Sequence, residues 1–194
     1  MCNNLNAMKP PNMLLLVLLA ASLLRAASPE KLHWVRVEKG AALPQNATPG
    51  GTEILRQRSG VGQHRETGRQ VRYICKAQYP AGKESYQIGK VVNHTCNFEY
   101  GNRPAYVSGA FWVLAGDGEW KKGSPNASVP SSTDTDGEEL YVCRVHIVDK
   151  VKPGPGYNDY GWHPGKLRDD TCRAELGGSI RTSDNDYELL YQKH

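Results

Sequence analysis

The stretch IGKVVNHTCNFEYGN at residues 88–102 returns without gaps as PGKLRDDTCRAELGG at residues 164–178. Identities fall at Gly89/Gly165, Lys90/Lys166, Thr95/Thr171, Cys96/Cys172, Glu99/Glu175 and Gly101/Gly177, where a window of this size gives about one by chance. Outside the window RYICK (72–76) matches LYVCR (140–144), with a basic residue at Lys76/Arg144. FWVL (111–114) answers YELL (187–190), Asn46-Ala47-Thr48 answers Asn126-Ala127-Ser128, and Trp34 answers Trp120. The landmarks keep their order and only the loops between them change length. Such a pattern constrains architecture: one unit is written twice, over residues 32–116 and 118–193, and neighbouring copies share a core.

The unit reads as strand. VRYICKA and ELYVCRVHIV alternate and are rich in Val, Ile and Tyr, while GAFWVLAG and DYELLY are short apolar runs bounded by Gly or Asp. Pro and Gly punctuate the rest, and no stretch sustains a helical apolar period with caps. The expected fold is all-β, two tandem similar β-sheet repeats packed as one pseudo-two-fold module. The basic run RQRSGVGQHRETGRQVR (56–72), with Gly and Ser interleaved, reads as a solvated loop.

Residues 1–27 read differently. Lys9 precedes the apolar run from Met13 to Leu24, and the small residues Ala26, Ala27 and Ser28 follow, the plan of a secretory signal peptide. The apolar run is too short to span a bilayer comfortably. A secreted, extracellular chain without membrane insertion is expected. Removal of this segment takes away Lys9 and Arg25 and no acid, leaving 22 basic against 20 acidic side chains. That balance gives no electrostatic footprint for nucleic acid.

Cys2 leaves with the signal peptide, so Cys75, Cys96, Cys143 and Cys172 remain. An even count in a secreted chain points to disulfides. All three pairings respect a two-fold relation between the copies. The shortest loops favour Cys75 with Cys96 and Cys143 with Cys172, each bridge contributing about 3 kcal/mol on the loop-entropy model. No C-x-x-C pair or paired His spacing calls for zinc, and no metal or cofactor is expected. Asn46, Asn93 and Asn126 each head an N-x-[ST] sequon, in keeping with a secreted glycoprotein.

LHWVRVEKGAALPQNA, RYICKA, the GK with TCNFEYGN, and FWVL, followed by DTDGEELYVCRV, PGK and YELL, together resemble the DM-nine repeat. The version with cysteines is most similar to the N-terminal lectin part of the natterins, and the resemblance covers nearly all of the chain after residue 27. It implies a carbohydrate-binding protein with mannose as the typical ligand, on microbial or cell surfaces, and a role in innate recognition. Natterins carry a pore-forming region after this part, whereas this chain ends at His194, so no pore-forming activity is expected. A homodimer is left open by the sequence.

The resemblance also implies the site. Its ligand-contacting positions are an acid ahead of the Tyr-bearing strand and the Lys of Pro-Gly-Lys, which here are Asp134 with Lys166, and Glu53 with Lys90. The chemistry is apt: a hydroxyl both donates and accepts, so an acid and an ammonium make complementary partners for vicinal hydroxyls. The first copy has Glu in place of Asp, Ile88 in place of Pro, and the basic insertion, which favours the second site. Trp162, beside Tyr157 and Tyr160, offers a ring for the C–H face of a pyranose.

Plainer readings stand beside these. Asp134 and Asp136 flank a turn where Asp is common, the lysines are ordinary surface lysines, and the rings near Trp162 anchor a loop. No H-E-x-x-H or G-x-S-x-G motif is present, and the chain is read as a non-enzyme. The alternative is a secreted protein-interaction module, or a toxin-associated natterin-like protein without its pore-forming domain.

Overall fold

The computed structural model describes residues 28–60, 63–148 and 160–194. The expected signal peptide and Tyr157 lie outside these residues, as does the side chain of Tyr160. The described residues are all-β and contain no helix. Fourteen strands form one antiparallel hydrogen-bonded network. In chain order they are β1 (His33–Val37), β2 (Pro49–Gly60), β3 (Gln63–Gln78), β4 (Tyr86–Val92), β5 (Thr95–Tyr100), β6 (Arg103–Val107), β7 (Phe111–Ala115), β8 (Gly118–Lys121), β9 (Ser131–Thr133), β10 (Glu139–Val148), β11 (Tyr160–Arg168), β12 (Thr171–Leu176), β13 (Ser179–Ser183) and β14 (Tyr187–Gln192).

Register at the matched sequence positions is the same. Cys75 stands opposite Gly89 and Cys143 opposite Gly165, Cys75 opposite Val113 and Cys143 opposite Leu189, and Trp34 opposite Leu114 as Trp120 is opposite Leu190. The two-residue period then sorts side chains between separate cores. Ile74, Leu114, Leu140, Val142 and Leu190 point to a central core edged by Trp34 and Trp120. Their chain neighbours Cys75 and Val113 point to one outer core, and Cys143 and Leu189 to another. Both faces of these strands are therefore buried, which is why FWVL and ELYVCRV carry apolar residues at consecutive positions.

The disulfides Cys75–Cys96 and Cys143–Cys172 lie in the outer cores, with Cα–Cα distances of 5.8 and 6.1 Å. They agree with an oxidising compartment. No helix among the described residues is long and apolar enough to cross a membrane. The recurrent Gly89 and Gly165 have a steric cause: a Cβ would stand 1.9 Å from the carbonyl oxygen of Asn97 at one and 2.1 Å from that of Arg173 at the other. No side chain fits there, so the Lys that follows is always delivered by a strand pressed against its neighbour's backbone.

Residues 56–60 and 63–72 do not form the expected loop. They extend β2 and β3 into a long hairpin, with Arg56 opposite Glu66 and Gln70 opposite Glu53. Backbone pairing with β2 satisfies donors and acceptors that a loop would leave to water, and Gly and Ser do not prevent it. At the matching place β9 and β10 are joined by a tight turn in which Gly137 N donates to Asp134 O.

Candidate functional site

The landmark lysines enter two cavities that lie at corresponding places. Lys90 is opposite Ile74 on β4 and Lys166 opposite Val142 on β11. The acids correspond as well: Glu53 pairs with Gln70, three residues before Tyr73, and Asp134 N donates to the carbonyl of Glu138, three residues before Tyr141. One cavity, about 310 Å³, is lined by Asp134, Lys166, Glu99, Asn102, Arg168 and Arg173 among others. The other, about 460 Å³, is lined by Glu53, Lys90, Glu175, Arg72, Asn93 and Asn97 among others.

Both cavities draw on both sequence copies. Glu99 of β5 sends Oε2 to within 3.1 Å of Lys166 Nζ, and Glu175 of β12 sends Oε2 to within 3.6 Å of Lys90 Nζ. Each glutamate uses its other oxygen to hold a hairpin turn. Asn102 N donates to Glu99 Oε1 at 2.6 Å and Gly178 N to Glu175 Oε1 at 2.8 Å. These glutamates were not among the expected site residues, although their recurrence three residues after a cysteine was the available signal.

In the Asp134 cavity the acid and the lysine are joined through an amide. Gln87 Nε2 donates to Asp134 Oδ1 at 2.7 Å, and Gln87 Oε1 accepts from Lys166. Arg168 Nη1 lies 2.7 Å from Asp134 Oδ2. Burial works against the Asp134 charge, but the Thr135 N–H, Gln87, Lys166 and Arg168 outweigh it and hold the carboxyl below its usual range. Burial pushes the Lys166 ammonium down, with Glu99 and Asp134 opposing. The lysine also donates to the carbonyl of Glu99 at 2.7 Å, so Gln87, this carbonyl and the Glu99 carboxylate engage its three donors.

In the Glu53 cavity the contact is direct. Lys90 Nζ lies 2.5 Å from Glu53 Oε1, and the Arg72 guanidinium grips Oε2 at 2.7 and 2.6 Å. His163, at the position matching Gln87, is fully buried with Nδ1 3.1 Å from Glu53 Oε1. That approach is off the axis of a well-formed hydrogen bond, and Nε2 has no partner among the described residues. Burial opposes the Glu53 charge, but His163, Lys90 and Arg72 hold the carboxyl far below the usual range. Burial pushes the His163 pKa down, against the pull of Glu53.

The structure therefore brings Asp134 to the cavity of Lys166 and Glu53 to that of Lys90. It does not leave them as exposed surface groups. Glu53, Lys90, Asp134 and Lys166 are all 5% exposed or less. Removing one partner of such a buried pair leaves a charge uncompensated and is costly to stability, so their replacement affects folding as well as any ligand.

Trp162 is brought to neither cavity. It lines a separate hollow with Trp120 and Arg144, and the Arg144 guanidinium lies over both rings, at 4.5 and 4.3 Å from their centroids. Lys76 stands in the same way over Trp34, at 4.6 Å. This explains the recurrent basic residue after Cys75 and Cys143: on the face turned from the disulfide it caps an aromatic ring. Asn46, Asn93 and Asn126 are all exposed. Among the described residues no group of His, Cys, Asp and Glu could hold a metal ion. No protein-family model matches the chain, and no curated protein matches it.

Proposed function

We propose that the chain is a secreted lectin of the DM-nine repeat type, in which two copies of one β unit pack about a pseudo-two-fold axis and each of two cavities takes a mannose-type sugar. The observation that carries this reading is the pair of cavities at corresponding positions, each with a lysine between a carboxylate of its own copy and a glutamate of the other. A fixed acceptor and a fixed donor, held by buried neighbours, match the vicinal hydroxyls of a pyranose. A ligand hydroxyl at Lys166 replaces a contact that the lysine already makes, so each site is weak alone, and a chain with both cavities open gains avidity on a surface dense in glycans. Recognition of mannose-bearing microbial surfaces is the role that this geometry suits.

The test uses near-isosteric replacements, because the groups are buried. Asp134→Asn and Lys166→Gln weaken binding to a mannotriose by about tenfold or more, corresponding to the loss of one or two charge-assisted hydrogen bonds. Calorimetry reads the affinity, and thermal melting confirms that each variant is folded. Unchanged affinity in both folded variants overturns the placement. Retention of a protein partner by a chain that binds no sugar on a glycan array supports the protein-interaction reading instead.

A further inference from the structure

The hairpin turn at the rim differs between the cavities. Between β4 and β5 it consists of Asn93 and His94, with φ of 47° and 60°. Between β11 and β12 it consists of Asp169 and Asp170, with φ of 48° and 56°. Asn93 lines the Glu53 cavity and Asp169 lines the Asp134 cavity. Asn93 heads the Asn93-His94-Thr95 sequon, is exposed, and has no side-chain hydrogen bond among the described residues. Asn46 and Asn126 line neither cavity.

We infer that an N-linked glycan on Asn93 covers the Glu53 cavity, so that the secreted chain presents the Asp134 cavity alone. The inference rests on the proposed lectin reading and sets the valency of its sites. In the secretory lumen the carboxamide nitrogen of Asn93 displaces the pyrophosphate from the anomeric carbon of a lipid-pyrophosphate-linked oligosaccharide. A C–N bond forms, the C–O bond to the phosphate breaks, and the amide gives up one proton. The first sugar is then bonded to a residue of the cavity wall. Its branched mannose arms are tethered within reach of Lys90 and Glu175 at an effective concentration in the millimolar range. A weak site facing a tethered ligand of its own kind is both shielded and occupied.

The experiment counts ligands. The chain is secreted from a eukaryotic host, Asn93 occupancy is read from glycopeptides, and mannotriose bound per chain is measured by native mass spectrometry. The wild type, occupied at Asn93, binds one. Asn93→Asp, which puts into this turn the residue that the other turn already accommodates, binds two, and so does folded wild type trimmed with an endoglycosidase. Asn46→Gln and Asn126→Gln bind one. Asp169→Asn, which gives the second turn an acceptor sequon ahead of Thr171, binds none when glycosylated at both turns and two when made in a host that does not glycosylate. The inference is overturned if Asn93 is unoccupied, or if the occupied wild type binds two. Absence of binding in every form, Asn93→Asp and the trimmed chain included, overturns the lectin reading and this inference with it.

Discussion

The Asp134 and Glu53 cavities keep one frame and balance its charge with different residues. Both have a lysine after a glycine that no side chain could replace, and a glutamate that holds a turn with one oxygen and faces that lysine with the other. The cation on the acid comes from different strands. In the Glu53 cavity it is Arg72 on β3, where the matching position is the core residue Leu140. In the Asp134 cavity it is Arg168 at the end of β11, where the matching position is Val92. The neutral bridge of Gln87 on one side is the unsatisfied ring of His163 on the other. A buried acid in this fold therefore requires a cation, and the fold accepts it from either direction. The Glu53 cavity has the denser ion pairing of the two, and the Asp134 cavity leaves its acid and lysine apart with an amide between them.

This comparison breaks most visibly at Arg72. Arg72→Leu installs the residue found at position 140 and leaves Glu53 with Lys90 as its one remaining cation, at a cost of about 1.5–3 kcal/mol. Adding Val92→Arg supplies a cation at the position used by Arg168 and recovers part of that loss, a coupling that a double-mutant cycle in urea reads directly. Additive effects would mean that the two cations do not serve one carboxylate position.

His163 gives a smaller and pH-dependent effect. Its folded pKa lies below the ordinary 6.5, so the unfolded chain takes up the proton first. The stability linked to neutral His163 is fully present above about pH 6.5 and is lost as pH falls below that value, by at most about 1.4 kcal/mol per pH unit for one proton. The depressed Glu53 carboxyl acts in the same direction at lower pH: its contribution is present above its ordinary 4.5 and is lost as pH falls toward its folded pKa. His163→Gln, which copies Gln87, removes the first loss and leaves the second. Urea midpoints from neutral pH to about pH 4 check this, and an unchanged slope between about pH 6.5 and 5 would contradict it.

Much of the strand content was legible because apolar and β-branched residues cluster at FWVL, RYICK and ELYVCRV and turn residues separate them. Cys96 and Cys172, at fixed spacing after Gly89 and Gly165, marked matching strands, and short loops favoured the pairing that forms. The composite cavities were not legible. Alternation tells which side chains share a face, but not which distant strand covers that face, so Gln87 and Glu99 gave no sign of meeting Asp134 and Lys166. Burial was hidden for the same reason: Asp134 in TDTDG looks like an exposed turn residue until Ser85, Gln87 and Arg168 close over it. Trp162 was placed by proximity in sequence to Lys166, whereas Arg144 draws its ring into a different hollow. The strand pairing of residues 56–60 and 63–72 was missed because Gly, Ser and charge favour loops locally, and the backbone pairing between β2 and β3 decides otherwise.

The most direct measurement is a crystal structure of the unglycosylated chain grown with mannotriose. The account predicts a mannose in both cavities, with neighbouring hydroxyls at hydrogen-bond distance from Lys166 and Asp134 in one and from Lys90 and Glu53 in the other. A sugar seated on Trp120 and Trp162, with both cavities empty, would contradict it.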